Sequence, residues 1–343
     1  MSRVRRPRVA VSPILIVILV ALLAAACTGG STPAPATPSA QPPATQAATE
    51  APAATPAPTP SPVAAFPVTV TGYDGTEVAI AEQPKRIVSL TPAATETLFA
   101  IGAGDRIVGR SEDPNPFPAE AAALPALTNM MAVDVEKVVA LEPDLVIAGG
   151  LGFTPDDSIA QLRNAGIPVL VVYASDVAGV MGDIRTIGKA SGATEAANTL
   201  ADGMQADIDA IAAAATAGVT TRPRVFYEID ATGDIYGPAD KSFIAEMVNL
   251  AGGDAVTTGS PDVYSIPLER LIEANPDVIL LGDAAYGVTP EAVAGRTGWG
   301  TMTAVTSGAI RPVDDVVITR PGPRLGEGLR ALAKAVNPDV TLP

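Results

Sequence analysis

The sequence predicts an α/β protein with two similar lobes, each built on a central parallel sheet, and a long helix that joins them. The first observation is an internal repeat: residues 135–147 reappear as residues 268–280, with a helix pattern, a proline, an aspartate and a short apolar strand in the same order. The second is the alternation of strand and helix patterns in both halves, which is typical of parallel sheets covered by helices. The third is a helix pattern over residues 194–217, long enough to connect two lobes. Two lobes that face each other form a cleft, where a ligand would bind.

Residues 1–26 have the pattern of a lipoprotein signal peptide. Four arginines precede an apolar run at 14–23, and small residues then lead directly to Cys27, the only cysteine of the chain. The apolar run is too short for an ordinary transmembrane helix. We therefore expect Cys27 to be lipidated and to anchor the protein to the outer face of the cytoplasmic membrane, in an extracytoplasmic location. The alternative is a plain signal peptide followed by an incidental cysteine.

Residues 27–65 are predicted to form a disordered tether. They consist almost entirely of Pro, Ala, Thr and Ser, which cannot bury enough apolar surface to offset the entropy of folding. The formal net charge of the chain is −15, which disfavours nucleic acid as a partner. The rest of the chain, from residue 66, is long enough for two domains of ordinary size.

The first lobe is predicted over residues 66–175. It opens with a strand at 86–90, a turn at Thr91 and Pro92, and a helix that ends at Gly102. The alternation continues with helices at 135–141 and 158–164 and with strands at 107–108, 145–147 and 168–173.

Connecting helices are predicted over residues 176–221, at 176–189 and 194–217, and the second lobe over residues 222–343. The second lobe repeats the order of the first, with a strand at 224–229 and a helix at 242–250. Smaller spacings also agree, since Glu96 lies six residues before Gly102 and Glu246 lies six before Gly252. A stiff helical connector predicts small rocking of the lobes rather than wide closure.

Both copies of the repeat are followed by the sequence Thr-Pro-acid, at 154–156 and at 289–291. This sequence predicts a helix start in each lobe, with the threonine hydroxyl as the cap and proline at the first helical position. An acid in the first turn of a helix also complements the helix dipole, by about 0.3–1 kcal/mol.

Most enzyme chemistry is excluded by composition. The chain has no histidine, which removes histidine-based triads, histidine general bases and the commonest transition-metal ligand. Neither a phosphate-binding loop nor a nucleophile elbow is present. We therefore expect a protein that is not an enzyme and has no metal site or cofactor of its own. A carboxylate-dependent hydrolase stays open as an alternative.

Four stretches, in this order, resemble the ferric-siderophore/cobalamin periplasmic-binding family, the substrate-binding proteins of ABC importers. They are residues 86–96, residues 141–147, the pair Gly298-Trp299, and residues 320–325. The resemblance runs from about residue 66 to residue 339. It implies the class III periplasmic-binding fold, with two Rossmann-like lobes joined by a single long helix and the ligand held between them.

The resemblance also implies that ligand contacts come from loops at the carboxyl ends of the strands, as α/β proteins in general lead one to expect. The candidates in the first lobe are Thr91, Pro92, Asn115, Phe117, Met130, Met131, Leu151 and Phe153. Those in the second lobe are Tyr236, Tyr264, Tyr286 and Arg320. The three tyrosines are the strongest candidates, because aromatic residues make up only 4% of the chain and a rigid ring with a polar tip suits an amphipathic macrocycle.

The ligand implied by the resemblance is a metal chelate, either cobalamin or another corrinoid, or a ferric siderophore. An anionic siderophore needs several cationic side chains, and only Arg110, Arg320 and Arg296 are placed to supply them. Cobalamin-type members tend to carry an aromatic residue where this chain has Gly149 and Gly150. Haem would need Tyr or Met as its axial ligand.

The partners implied are an ABC permease dimer and its ATPase. In family members one carboxylate on the outer face of each lobe docks onto permease arginines, and Asp156 and Glu291 occupy the matching place. The sequence thus predicts a lipid-anchored binding protein that delivers a chelate to a permease. A ligand-sensing lipoprotein of the same fold, without a permease, is the main alternative.

Overall fold

The computed structural model describes residues 66–129 and 132–343. The predicted signal peptide, the tether and Cys27 therefore lie outside the described residues, as do Met130 and Met131. Among the helices of the described ranges, none is both long and apolar enough to span a bilayer.

The first lobe is a four-stranded parallel sheet with two separate antiparallel pairs of strands. Its strands are β1 (Val68–Thr71), β2 (Glu77–Ile80), β3 (Ile87–Ser89), β4 (Ile107–Arg110), β5 (Thr128–Asn129), β6 (Ala132–Val133), β7 (Leu145–Gly149) and β8 (Val169–Val172). Its helices are α1 (Pro92–Ala100), α2 (Val135–Ala140) and α3 (Asp156–Asn164). The sheet order is β4-β3-β7-β8, while β1 and β2 pair antiparallel to each other. The turn of this hairpin adjoins the sheet edge, where the Tyr73 N–H donates to the carbonyl of Val171.

Two helices follow the first lobe, α4 (Val177–Ser191) and α5 (Thr194–Thr216). The left-handed Gly192, with φ of 78°, ends α4 and turns the chain into α5. The two helices pack along each other, and their buried side chains join one apolar core that also includes strands of both lobes. That shared core is consistent with limited movement between the lobes.

The second lobe repeats the parallel sheet. Its strands are β9 (Arg224–Glu228), β10 (Asp254–Ala255), β11 (Val278–Leu281) and β12 (Ile310–Pro312), in the order β10-β9-β11-β12. Its helices are α6 (Phe243–Leu250), α7 (Leu268–Ala274), α8 (Pro290–Ala294), α9 (Thr303–Thr306), α10 (Asp315–Thr319) and α11 (Leu325–Val336). The fold class predicted from the sequence is confirmed: the protein is α/β, with two parallel sheets and helices between them.

The aspartate of the repeat fastens two neighbouring strands in each lobe. Asp144, just before β7, accepts hydrogen bonds from the backbone N–H groups of Lys85 and Arg86 at 2.7 and 2.9 Å. Its counterpart Asp277, just before β11, accepts from the backbone N–H of Arg224 at 2.8 Å and from the guanidinium of the same residue. These carboxylates satisfy donors at the starts of β3 and β9 and fix how the strands align.

Arginine and a left-handed residue complete the repeated unit. Arg86 donates to the carbonyl of Leu141 at the end of α2, and Arg224 donates to the carbonyl of Ala274 at the end of α7. The next residue along has positive φ in both copies, 44° at Glu142 and 46° at Asn275. The repeated sequence thus encodes a repeated helix end, turn and strand start.

One of the two predicted threonine caps is wrong. Thr289 caps α8, since its hydroxyl accepts from the Ala292 N–H at 3.2 Å. Thr154 does not cap α3: it is buried, and its hydroxyl accepts from the Gly149 N–H at 2.9 Å. The loop after β7 turns back onto its own strand and uses that hydroxyl, so α3 begins at Asp156 with no side-chain cap.

Candidate ligand-binding cleft

The loops at the carboxyl ends of both sheets meet across the space between the lobes. The 320–324 loop of the second lobe lies against the start of α1, where a Cβ on Gly322 would be 3.5 Å from Ala93. Elsewhere between the lobes, Tyr173 follows β8 in the first lobe, and Tyr264 of the second lobe lies close enough to affect it. Burial, and then the nearby phenols of Tyr264 and Tyr73, raise the pKa of Tyr173 above its usual value.

Three aromatic side chains of the first lobe form a cluster on this side of the cleft. The ring centroids of Tyr73 and Tyr173 are 5.0 Å apart, and those of Phe153 and Tyr173 are 6.2 Å apart. We call these three residues the aromatic cluster. Phe153 is 66% exposed and Tyr73 is 50% exposed, so much ring surface faces outward. Exposed rings held in contact with one another are suited to stacking against a flat apolar ligand.

The two glycines after β7 make room for the aromatic cluster. A Cβ on Gly150 would lie 2.9 Å from a ring carbon of Tyr73 and 3.0 Å from Cβ of Tyr173. A Cβ on Gly149 would lie 2.8 Å from Cβ of Phe153. The cluster therefore occupies the place that an aromatic side chain at 149 or 150 would take. Tyr73, Phe153 and Tyr173 bring aromatic surface there from other elements.

The first lobe also has a depression of about 710 Å³ beside the cluster. It opens between the β1–β2 turn and α3, and its lining includes Tyr73, Gly150 and Leu151. Leu151 is 66% exposed and has φ of 49°, which a side chain other than glycine rarely adopts. The surface next to the aromatic cluster is thus concave and partly apolar.

The predicted tyrosines of the second lobe differ in their surroundings. Tyr236 and Tyr264 belong to neighbouring segments, since the Gly237 N–H donates to the carbonyl of Tyr264 at 2.9 Å. Both are about 40% exposed, whereas Tyr286 is 89% exposed at the end of a 3₁₀ turn. Of these tyrosines, Tyr264 is the one whose phenol contributes to the raised pKa of Tyr173 in the aromatic cluster.

The remaining predicted residues lie on loops at the cleft edge of the first lobe. Thr91 caps α1 by accepting from the Ala94 N–H at 3.1 Å, and Pro92 is the first residue of that helix. Asn115 and Phe117 are exposed on the loop after β4. The guanidinium carbon of Arg324 lies over the ring of Phe117, 4.4 Å from the ring centroid.

The three arginines considered for an anionic ligand are already engaged within the protein. Arg110 is buried and donates to the carbonyls of Ser111 and Ala121 at 2.7 and 2.8 Å. Arg296 pairs with the buried carboxylate of Glu228. Arg320 pairs with two carboxylates of the first lobe, which neutralise its positive charge. A contact between Arg320 and an anionic ligand is therefore disfavoured.

A buried acid marks the second-lobe position that corresponds to Gly150. Asp283 follows β11, is 4% exposed and lies beside Glu228. Burial and the negative charge of Glu228 raise the pKa of Asp283 to about 6. The two lobes therefore differ at these matching positions, with room for aromatic rings at one and a buried carboxyl group at the other.

Neither Tyr73 nor Tyr173 is among the ligand-contact candidates that the sequence indicates. Tyr173 ends the predicted strand at 168–173, so the rule that ligands bind at the carboxyl ends of strands could have identified it. Tyr73 had no such signal, because it lies in a hairpin that precedes the repeated unit and reaches the cleft only through pairing with β8.

Comparison with known proteins agrees with this geometry. A family model described as periplasmic binding protein matches residues 87–316. The chain is 36% identical over 277 residues to an uncharacterized ABC transporter substrate-binding lipoprotein, YvrC, of Bacillus subtilis (strain 168), which covers 80% of this chain and 87% of that protein. It is 30% identical over 291 residues to a cobalamin-binding protein of Halobacterium salinarum (strain ATCC 29341 / DSM 671 / R1), covering 80% of this chain and 75% of that protein.

A solved structure supports the same assignment. The periplasmic haem-binding protein RhuT from Roseiflexus sp. RS-1 in apo form superposes with a TM-score of 0.65 at 26% identity, covering 74% of this chain and 97% of that one. From its two parallel sheets, the helices between them and these matches, we conclude that the chain belongs to the periplasmic binding protein family, whose members bind substrates rather than transform them.

Proposed function

We propose that the protein is the substrate-binding component of an ABC importer and that it captures a metal chelate between its lobes. The observation that carries this proposal is the aromatic cluster of the first lobe with Tyr264 of the second lobe close to it. Rings from both lobes can contact opposite sides of one flat, largely apolar ligand. The kinship with substrate-binding lipoproteins of ABC transporters supports the same role.

Among metal chelates, a corrinoid fits the cleft best. A corrinoid has a broad macrocycle with neutral amide side chains, which needs stacking and scattered hydrogen bonds rather than strong positive charge. The arginines at 110, 296 and 320 are engaged by carbonyls or carboxylates of the protein, which disfavours an anionic ferric siderophore. The relative named as a cobalamin-binding protein supports this choice.

Haem is the second candidate, and the phenols of Tyr173 and Tyr264 are the specific observation in its favour. In a chain without histidine, a phenolate from either residue could ligate ferric iron. The haem propionates, however, would meet no uncommitted guanidinium among the three arginines considered. The similar solved structure, named as a haem-binding protein, supports haem as the second candidate.

Titration calorimetry with cobinamide tests the proposed site. Tyr173→Ala and Tyr264→Ala should each weaken binding about three- to tenfold, because each removes a stacking surface. Val139→Ala is the control, since it truncates an apolar side chain that is 40% exposed on helix α2 and is not a candidate for ligand contact. Equal affinities for all four proteins would place the ligand elsewhere.

Delivery to a permease is the second part of the proposal. Asp156 is the first residue of α3 and Glu291 lies in the first turn of α8, and both are exposed. We infer that they dock onto basic residues of the two permease subunits. We also infer that lipidation at Cys27 holds the protein on the outer face of the membrane.

Charge reversal tests the docking role. Asp156→Lys with Glu291→Lys should abolish stimulation of the transporter's ATPase in proteoliposomes and leave chelate affinity intact. Asp157→Lys is the control, because it reverses an exposed acid in the same helical turn. If Asp157→Lys abolishes stimulation equally, general electrostatics rather than docking is responsible. Loss of chelate affinity in the double variant would also contradict the assignment.

A further inference from the structure

Two arginines of the second lobe bind two acids of the first lobe in one cluster. Arg320 donates to Glu96 at 2.7 Å and to both carboxylate oxygens of Asp113 at 3.0 and 3.1 Å. Arg324 donates to both oxygens of Glu96 at 3.0 and 2.7 Å. We call Glu96, Asp113, Arg320 and Arg324 the interlobe charge cluster. It joins α1 and the loop after β4 to the segment between α10 and α11.

The cluster is buried and its charges balance. The side chains of Glu96 and Asp113 are 2% and 5% exposed, and those of Arg320 and Arg324 are 13% and 16% exposed. Two negative and two positive groups share paired, charge-assisted hydrogen bonds, which are the strong kind. Removing one member leaves an uncompensated charge away from water, so a single substitution in the cluster should weaken this contact between the lobes.

The same arginines also hold the cleft loop of the first lobe. Arg320 fixes Asp113 and lies 3.5 Å from the carbonyl of Asn115. Arg324 lies over the ring of Phe117. The loop at residues 113–117 therefore owes its position to side chains of the opposite lobe.

The second lobe has a comparable contact between an acid and another part of the chain. Glu246 corresponds to Glu96, because each lies six residues before the glycine that follows its helix. The carboxylate of Glu246, on α6, accepts from the Val177 N–H at 2.8 Å, at the first residue of α4. The equivalent acids of the two lobes thus both reach beyond their own lobe, one to the opposite lobe and one to the connector.

We propose that Arg320 and Arg324 are positioning residues for ligand binding: they lock the lobes together and place loop 113–117 at the cleft. Arg320 then acts through Asp113 and Glu96 rather than by contact with the ligand. The effect on ligand rests on the proposed function, whereas the effect on the lobes does not.

Hydrogen exchange in the ligand-free full chain tests the lock without any chelate. Glu96→Gln, Arg320→Gln and Arg324→Gln should each speed exchange of the amides in 111–117 and 320–324 about tenfold or more. Arg185→Gln is the matched control: it breaks an exposed pair with Asp202 between α4 and α5, and should leave both segments unchanged. Unchanged exchange in the cluster variants would overturn the proposal.

The dissociation rate of cobinamide tests the effect on ligand. The dissociation rate should rise about tenfold in Arg324→Gln. In Arg324→Lys it should stay closer to the original rate, because lysine keeps a positive charge near Glu96 but cannot make the paired hydrogen bonds of the guanidinium. Faster exchange with an unchanged dissociation rate would overturn loop positioning. If no chelate binds any variant, the proposed function fails, and exchange alone decides whether the cluster locks the lobes. If a glutamine variant does not fold, Asp113→Asn, which removes one charge from the cluster, serves in the same measurements with the same expected direction.

Discussion

Gly150→Ala tests whether the aromatic cluster needs the space left by a glycine. Gly150 has ordinary negative φ, so alanine adds no backbone strain there. Its Cβ would lie 2.9 Å from Cδ1 and 3.4 Å from Cε1 of Tyr73, and 3.0 Å from Cβ of Tyr173. Favourable carbon contacts lie at about 3.5–4.0 Å, so both neighbours have to give by roughly half an ångström. The half-exposed ring of Tyr73 can turn aside, whereas Cβ of Tyr173 can move only with its backbone, so a small backbone shift has to accompany the ring movement.

The expected cost follows from that displacement. Overpacking costs about 1–3 kcal/mol in a closed core. Because the half-exposed ring of Tyr73 can move, we expect the loss of stability to lie at the low end of this range, about 1 kcal/mol. Loss of ring contact in the cluster should remove a further 0.5–1.5 kcal/mol from ligand binding, or about two- to tenfold in affinity. Urea unfolding and cobinamide calorimetry measure the two effects. The control is Gly300→Ala in the turn after α8, where an added Cβ meets nothing within 4 Å and no helix propensity is changed. Gly150→Ala that matches the parent protein in both assays would refute the packing argument.

Three other substitutions test separate parts of the account. Burial raises the pKa of Asp183 to about 7, so the folded state keeps a proton that the unfolded chain loses near pH 4, and this acid makes stability fall as pH rises from about 4 to 7. Asp183→Asn should therefore raise the free energy of unfolding by about 4 kcal/mol at pH 8, from about three pKa units, and leave it unchanged at pH 3.5. An equal effect at both pH values would contradict the burial argument. Asp277→Ala removes the carboxylate that accepts hydrogen bonds at the start of β9, and it should lower the free energy of unfolding in urea by about 2–3 kcal/mol. An unchanged free energy of unfolding would show that this contact is dispensable. Thr289→Ala should cost about 1 kcal/mol through loss of the α8 cap, and an unchanged midpoint would argue against the cap.

The sequence was a good guide where a residue's role is set by its immediate neighbours along the chain. The repeat around Asp144 and Asp277 predicted two equivalent sheets because helix end, turn and strand start are encoded locally. Thr154 shows the limit: the same Thr-Pro-acid pattern caps a helix at 289, while at 154 the loop folds back and uses the hydroxyl for its own strand.

The cleft was harder to predict because its contacts join distant parts of the chain. The sequence places Arg320 among the candidates for ligand contact, but only the fold shows that Glu96 and Asp113 of the other lobe pair with it. Nothing in the local pattern around Tyr73 indicates that hairpin pairing carries it to Tyr173. Gly149 and Gly150, read alone, suggested missing aromatic surface, whereas the fold supplies that surface from other elements.

Thermal unfolding with a panel of chelates tests the central claim most directly, namely that the two lobes enclose a metal chelate. The panel consists of cobalamin, cobinamide, haem and several anionic ferric siderophores. The account predicts that a corrinoid at 100 times its dissociation constant adds about 2.7 kcal/mol to stability, seen as a higher midpoint, while the anionic siderophores add nothing. A panel in which no chelate raises the midpoint would contradict the proposed function. A rise with siderophores alone would contradict the choice of a corrinoid, which rests on the engagement of the three arginines within the protein.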